Sequence, residues 1–357
     1  MSPTIRSFDA RLIAIPLSRP WGVDVTSVSV VATRVELSDG VVGHGFSWTP
    51  TIGGRAVLAL LQYDIHDAAI GRDADPAALW PQLWRHLHEA GGGGLTTIAL
   101  AGLDLALWDA AARRSQRSIT DLLGRRHDRL AAYGSGVNLH YSTDELLAQV
   151  ERWIAAGFDA VKIKVGRPRL ADDVERVRQV RRLLGDDRRL MIDANQRWTL
   201  DRAVEAMRAL DAFDPAWIEE PLVADDLASH AELARRIGTP IAVGENLHTR
   251  FRFDDAARAG VGVVQPNVVR VGGITPLLDI AADAADRGLA LHPHLLPELS
   301  GQVALALPGD HLVEDVEDAA FGTLGALEDP SPVEIDRGTL RSTDHVGLGL
   351  RFRGGPR

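Results

Sequence analysis

From about Leu130 onward, short β-rich runs alternate eight times with longer amphipathic helical stretches. The strand candidates are Ala131–Ser135, Ala160–Val165, Leu190–Ala194, Ala216–Glu219, Ile241–Glu245, Gly262–Pro266, Leu289–Pro293 and Leu312–Val316. Helical patterns between them include Thr143–Ala156, Ala171–Leu184, Leu200–Leu210, Leu227–Ile237 and Thr275–Arg287. Consecutive parallel strands need crossovers of a dozen or more residues, usually helical and right-handed. Eight such units predict an α/β fold closed as a (β/α) barrel of TIM type, with any active site at the C-terminal ends of the strands.

The residues before the barrel read as a small α+β unit. Alternating apolar positions in Val28–Leu37, the turn at Ser38-Asp39-Gly40 and the run Val41–Phe46 suggest an antiparallel pair. Helical patterns follow at Arg55–Ile70, Pro76–Leu87 and Thr96–Ala112, the last apolar nearly all round and therefore a buried helix. The division expected is residues 1–125 for this unit and 126–331 for the barrel. The tail, 332–357, holds a hairpin at Val333–Ile335 and Thr339–Arg341 and is expected to join the first unit.

The charge balance narrows the partners. A formal net charge of −10 argues against nucleic acid and anionic membranes, while leaving room for a local site that binds a small anion. No signal peptide and no unbroken apolar run of membrane length are read, and there are no cysteines. Disulfides, thiolate metal sites and cysteine nucleophiles are thereby excluded, and a cytoplasmic location is expected.

The strand ends carry the chemistry. Lys162 and Lys164 share one face of a strand, because side chains alternate with period two. Lys164, Asp193, Glu219 and Glu245 are 29, 26 and 26 residues apart, one βα unit each, which predicts three acids at one height on successive strands. Their mutual repulsion calls for a cation, and an all-oxygen set suits Mg²⁺ or Mn²⁺. Glu220 alternates away from Glu219 and reads as a supporting or capping group. Gly272-Gly273 after the sixth strand suits either an anion cradle or a tight turn. His292, in phase with His294, reads as barrel packing.

The segments KIK, MIDAN, WIEEP, VGEN, QPNVVRVGGIT and HPHLLPELS together resemble the enolase superfamily, specifically its mandelate racemase-like members. The resemblance spans nearly the whole chain and makes the first unit a capping domain. It implies Mg²⁺ held by Asp193, Glu219 and Glu245, with the metal gripping a substrate carboxylate and stabilising the enediolate left when the α-proton departs. It implies Lys164 as the base, Lys162 as a contact to the substrate carboxylate that lowers the pKa of its neighbour, and His294 as a second acid/base opposite. Asn195, Asn267 and Glu314 match polar substrate contacts, Glu314 as a hydrogen-bond donor if protonated. Trp21 and Trp48 fall in capping-domain loops that either close over the mouth or pack the domain interface. Homo-oligomers are expected.

One departure stands out. Where the resembled family places an aspartate beside the histidine, this chain has Asn267. An amide can orient an imidazole through its oxygen but cannot stabilise an imidazolium by charge. Two roles stay open for His294: acid/base, or a neutral group that binds substrate.

These features favour dehydration of a sugar acid to a 2-keto-3-deoxy acid, because that reaction tolerates a compromised second base. Racemisation or epimerisation of a 2-hydroxy acid is the alternative. A Schiff-base aldolase has no need of three metal-binding acids, and a non-catalytic binding protein has no need of the buried charges.

Overall fold

The computed structural model describes residues 3–22 and 24–357. Its N-terminal unit contains an antiparallel sheet of β1 (Ile5–Trp21), β2 (Val25–Leu37) and β3 (Val42–Thr49), in that order. The pair read from the sequence is β2–β3, and β1 is an additional edge strand. Its pattern is masked by half-exposed polar positions and by Pro16 and Pro20, which an edge strand tolerates because it need not donate on its open side. The helix Leu95–Arg114 packs across β2 and β3 and is buried on almost every face. By length and mean hydropathy (1.4) it could cross a membrane, yet 83% of that window is buried inside the protein.

The barrel strands lie close to the expected positions: β4 (Leu130–Ser135), β5 (Ala160–Lys164), β6 (Arg189–Asp193), β7 (Ile218–Glu219), β8 (Ile241–Val243), β9 (Val263–Val264), β10 (Ala290–Leu291) and β11 (Leu312–Val316). They pair in parallel, in chain order, from β4 to β10, and β11 returns to pair with β4. Strands β7 to β10 are shorter than their apolar runs. Pro221, Pro266 and Pro293 cannot donate to a ladder, and positive φ at Glu220, Gly244 and Leu295 bends the chain out of it. The β10–β11 seam is bridged by side chains. The Leu312 N–H donates to His292 Nδ1 at 3.1 Å, and His311 Nδ1 donates to the Leu291 carbonyl at 2.7 Å.

The tail departs from expectation in one respect. Its hairpin, β12 (Val333–Asp336) and β13 (Thr339–Ser342), pairs through β13 with β4 and so extends the barrel sheet. The segment after it reaches the first unit. There the Leu348 N–H donates to buried Asp109 at 2.6 Å, and Phe352 packs on Phe46 and Phe321. At the other edge of the cap, Arg19 of β1 donates to the Tyr141 hydroxyl at 2.8 Å and lies 3.7 Å from Glu317, both in loops at the C-terminal end of the barrel. The cap is thus tied down over the barrel mouth.

Candidate active site

The parallel register aligns Lys164 with Asp193 and Asp193 with Glu219, so these three do share one height. Glu245 does not, since the partner of Glu219 on β8 is Ala242. Gly244 restores the convergence. With φ at +147° it turns the chain, and a Cβ there would lie 2.6 Å from the Gln265 backbone, so only glycine fits the bend that brings Glu245 back. The result is a cluster in which ligand oxygens of Asp193, Glu219 and Glu245 all lie within 4.8 Å of one another. Oxygens around a bound Mg²⁺ are separated by about 3–4 Å, so small adjustments would let the trio share one ion.

Glu220 lies behind this cluster, linked to Glu245 through Asn246, which is the supporting role expected of it. It is fully buried with φ at +37°; Asn246 Nδ2 donates to its Oε2 at 2.7 Å, and its Oε1 has no partner among the described residues. Burial first, then Glu245 and Asp193, push it well above the ordinary carboxylate range. Burial also lifts Glu219, with Lys162 opposing and Asp193 and Glu245 adding to the rise. Three converging carboxylates in a low-dielectric cleft, with a fourth close behind them, are what a hard divalent cation would relieve.

Both lysines point inward, as alternation predicts. Lys162 is 1% exposed and donates to both Glu219 oxygens at 2.8 and 2.9 Å, with Glu314 also 2.8 Å away. Burial pulls its pKa down, but Glu219 and Glu314 carry it well above the ordinary lysine value. Lys164 donates to Asp193. Burial first, and then the Lys162 charge, press Lys164 toward the neutral amine, yet Asp193, Glu245 and Glu219 together leave it raised. The depressed lysine expected from the KIK spacing is therefore not produced by the protein's own charges. Glu314 is corrected as well. Burial pushes it up, but Lys162 and His294 bring it to about 2, so it is an acceptor, taking the Leu295 N–H at 3.0 Å.

On the facing wall, His294 Nε2 lies 2.8 Å from Glu245 and Nδ1 lies 3.1 Å from Asn267 Nδ2. The amide oxygen does not orient the ring, contrary to expectation. It accepts the Val269 and Arg270 N–H groups, both at 3.1 Å, and reversing the amide would strand both donors, the buried Val269 N–H at about 1–3 kcal/mol. Burial lowers the His294 pKa and Glu245 raises it above the ordinary value, while the Asn267 N–H donor favours an unprotonated Nδ1. Asn195 turns on Asp193: its N–H donates at 2.7 Å and Nδ2 at 3.3 Å. Arg270 points at Asn246, donating at 2.6 Å, and so supports Glu220 and Glu245.

Three supporting residues escaped the sequence reading. Gln265 donates to Glu219 Oε2 at 2.8 Å, and Trp217 Nε1 donates to the same oxygen at 3.3 Å. Tyr133 packs edge-to-face on Trp217, which stacks on His292 at 5.4 Å, making an aromatic layer beneath the charged one. The signal was present, since Trp217 precedes Glu219 by two residues and Gln265 precedes Asn267 by two. His292, brought by burial to about 4, is packing, as expected. Gly273 does form a cradle, but for a carboxyl group of the protein itself. Asp104 of the cap helix accepts the Thr275 N–H at 3.1 Å and its hydroxyl at 2.5 Å, and a Gly273 Cβ would lie 2.2 Å from its carboxylate. Trp21 and Trp48 end β1 and β3 instead of lying in loops, with their rings 6.4 Å apart edge-to-face.

Residues 9–124 match the model of the mandelate racemase/muconate lactonizing enzyme N-terminal domain, and 145–354 match that of the enolase C-terminal domain-like family. The chain belongs to the mandelate racemase/muconate lactonizing enzyme family of the enolase superfamily. Within that family it is 36% identical to a 3,6-anhydro-α-L-galactonate cycloisomerase from Streptomyces coelicolor, over 90% of this chain and 88% of the relative. It is also 36% identical to the L-talarate/galactarate dehydratase of Salmonella typhimurium, over 91% of this chain and 81% of the relative. A racemase from Streptomyces coelicolor with bound magnesium superposes with a TM-score of 0.91 at 34% identity, covering 98% and 97% of the two chains. L-Talarate dehydratase from Polaromonas, complexed with Mg and L-glucarate, superposes at 0.89 with 36% identity, covering 99% and 96%. As a family member, the chain carries its acids and lysines on a scaffold shared over nearly its full length.

Proposed function

We propose that this protein is a Mg²⁺-dependent dehydratase that converts a sugar acid to a 2-keto-3-deoxy acid. The observation that carries the reading is the convergence of Asp193, Glu219 and Glu245 between Lys164 on one side and His294 on the other. The ion held by those acids would supply positive charge to the substrate carboxylate as the α-proton leaves. Lys164 takes the C2 proton as the free amine; the protein's own carboxylates hold it as an ammonium, and a cation drawing on Asp193 would weaken that hold. Lys162, with its ammonium fixed between Glu219 and Glu314, adds fixed positive charge beneath the carboxylate site. His294 lies on the opposite wall, where it assists departure of the C3 oxygen. Net, C2–H and C3–OH leave as water, and the resulting enol ketonises by taking a proton at C3.

A second reading follows from the cycloisomerase relative, in which the oxygen leaving C3 would remain tethered through a ring ether, so that no water is lost. A racemase reading draws on the Streptomyces neighbour but needs two opposed bases. Sugar acids and 3,6-anhydro-galactonate, incubated with Mg²⁺ in deuterium oxide and followed by NMR, separate the three. The expected result is a 2-keto-3-deoxy product from an open-chain acid. Turnover of the anhydro acid alone would favour ring opening, and α-deuteration of both epimers without a keto product would favour racemisation. The protein is further proposed to self-associate, which light scattering tests.

A further inference from the structure

The hydrogen bonds around Asn267 run in a direction that decides what His294 can do. Asn267 is fully buried, and its Oδ1 is committed to two backbone donors, the N–H groups of Val269 and Arg270 at 3.1 Å each. The amide therefore cannot turn without setting its NH₂ against those donors. Its Nδ2 also lies 3.5 Å from the His294 carbonyl, a second reason for the NH₂ to face this way. Against the ring it presents an N–H to Nδ1 at 3.1 Å, which demands a lone pair on that nitrogen. A neutral imidazole with a bare Nδ1 carries its proton on Nε2. Nε2 in turn faces an acceptor, Glu245 Oε2 at 2.8 Å, with Glu314 Oε2 farther off at 3.7 Å. That contact fits an Nε2–H donor, and the direction of the Asn267 amide is what fixes the bare Nδ1.

We infer that Asn267 is a positioning residue that locks His294 as the Nε2–H tautomer, so that the wall opposite Lys164 offers a hydrogen-bond donor where a second base would need a lone pair. A carboxylate at position 267 would do the reverse, holding the proton on Nδ1 and baring Nε2. In this chain proton abstraction is thus confined to the Lys164 side, and His294 acts on a substrate oxygen by donation. The consequence for exchange rests on the proposed proton-abstraction chemistry; the tautomer does not.

The test uses the full-length protein labelled with ¹⁵N-histidine, with and without Mg²⁺, and long-range ¹H–¹⁵N spectra that distinguish a protonated from a bare ring nitrogen. His294→Gln assigns the signal. The expected spectrum shows Nδ1 bare and Nε2 protonated, and Asn267→Asp moves the proton to Nδ1. A wild-type His294 with Nδ1 protonated overturns the inference without need of any variant. In parallel, galactonate and its C2 epimer talonate are incubated in deuterium oxide. Wild type is expected to exchange C2–H of one epimer only, and Asn267→Asp to raise exchange of the other by about 10²-fold, the lower end of what a positioned base supplies. Equal exchange of both epimers by wild type overturns the one-sided role. Should neither epimer react, the dehydratase reading loses support, while the spectra still decide the tautomer.

Discussion

Lys164 sits where three influences meet: burial and Lys162 favour its neutral form, and Asp193 favours the ammonium. That balance makes it the most informative single position. Lys164→Ala is expected to reduce α-hydrogen exchange by at least about 10²-fold, the scale of general-base catalysis. It removes no metal ligand, so calorimetric Mg²⁺ affinity should stay within a few-fold of wild type. Retained exchange would eliminate Lys164 as the base, and lost Mg²⁺ binding would mean that its pairing with Asp193 shapes the metal site. That Lys164 faces inward beside Asp193 was legible in the spacing of KIK against MIDAN, because alternation and the barrel repeat fix which side chains face inward. Its charge state was not, because a pKa depends on distances to Asp193 and Lys162 that no linear pattern contains. The same holds for Glu314, whose ionisation is set by an ammonium on another strand.

At the scale of elements, the eight strands were readable because apolar β-rich runs and helical periods alternate so regularly. Their ends were not, because prolines and positive-φ residues terminate pairing earlier than hydrophobicity suggests. Glu245 illustrates the difference. Spacing placed it correctly in the cluster, but for the wrong reason, since it arrives through the Gly244 bend and not by strand register. The contact between the helices Leu95–Arg114 and Ile274–Asp286 was invisible in the same way. Asp104 lies 171 residues from Thr275 and caps the second helix from within the first. Burial lifts the Asp104 pKa to about 7, with the Thr275 hydrogen bonds opposing the rise. A folded-state pKa above the ordinary value of 3.8 contributes stability that is complete below about pH 4 and lost as pH rises through 7. Asp104→Asn removes that dependence. In urea titrations, wild-type stability minus variant stability should be larger at pH 4.5 than at pH 8, by about 3 kcal/mol. A difference that does not change with pH would show that Asp104 keeps one charge state throughout.

For the molecule as a whole, the cluster exists only when the barrel has assembled. Asp193, Glu219 and Glu245 come from three βα units, and Lys162 and His294 from two others. An unfolded chain scatters these oxygens, so an ion that binds the cluster binds the folded state almost exclusively. Linkage then requires Mg²⁺ to stabilise the protein, by about 2.7 kcal/mol at a free concentration 100 times its Kd. The cap and tail share in this stability, because Asp104, Asp109 and the Phe46–Phe321–Phe352 cluster couple them to the barrel. One transition should therefore be seen by tryptophan fluorescence and by far-UV circular dichroism, and both should shift together on adding Mg²⁺. Glu245→Gln takes away one charged ligand while leaving Lys162 paired with Glu219 and Glu314, so the fold should persist while most of the Mg²⁺-dependent shift disappears. If the variant kept the full shift, the ion would be bound somewhere other than among these three acids, and the assignment of the metal centre would have to be abandoned.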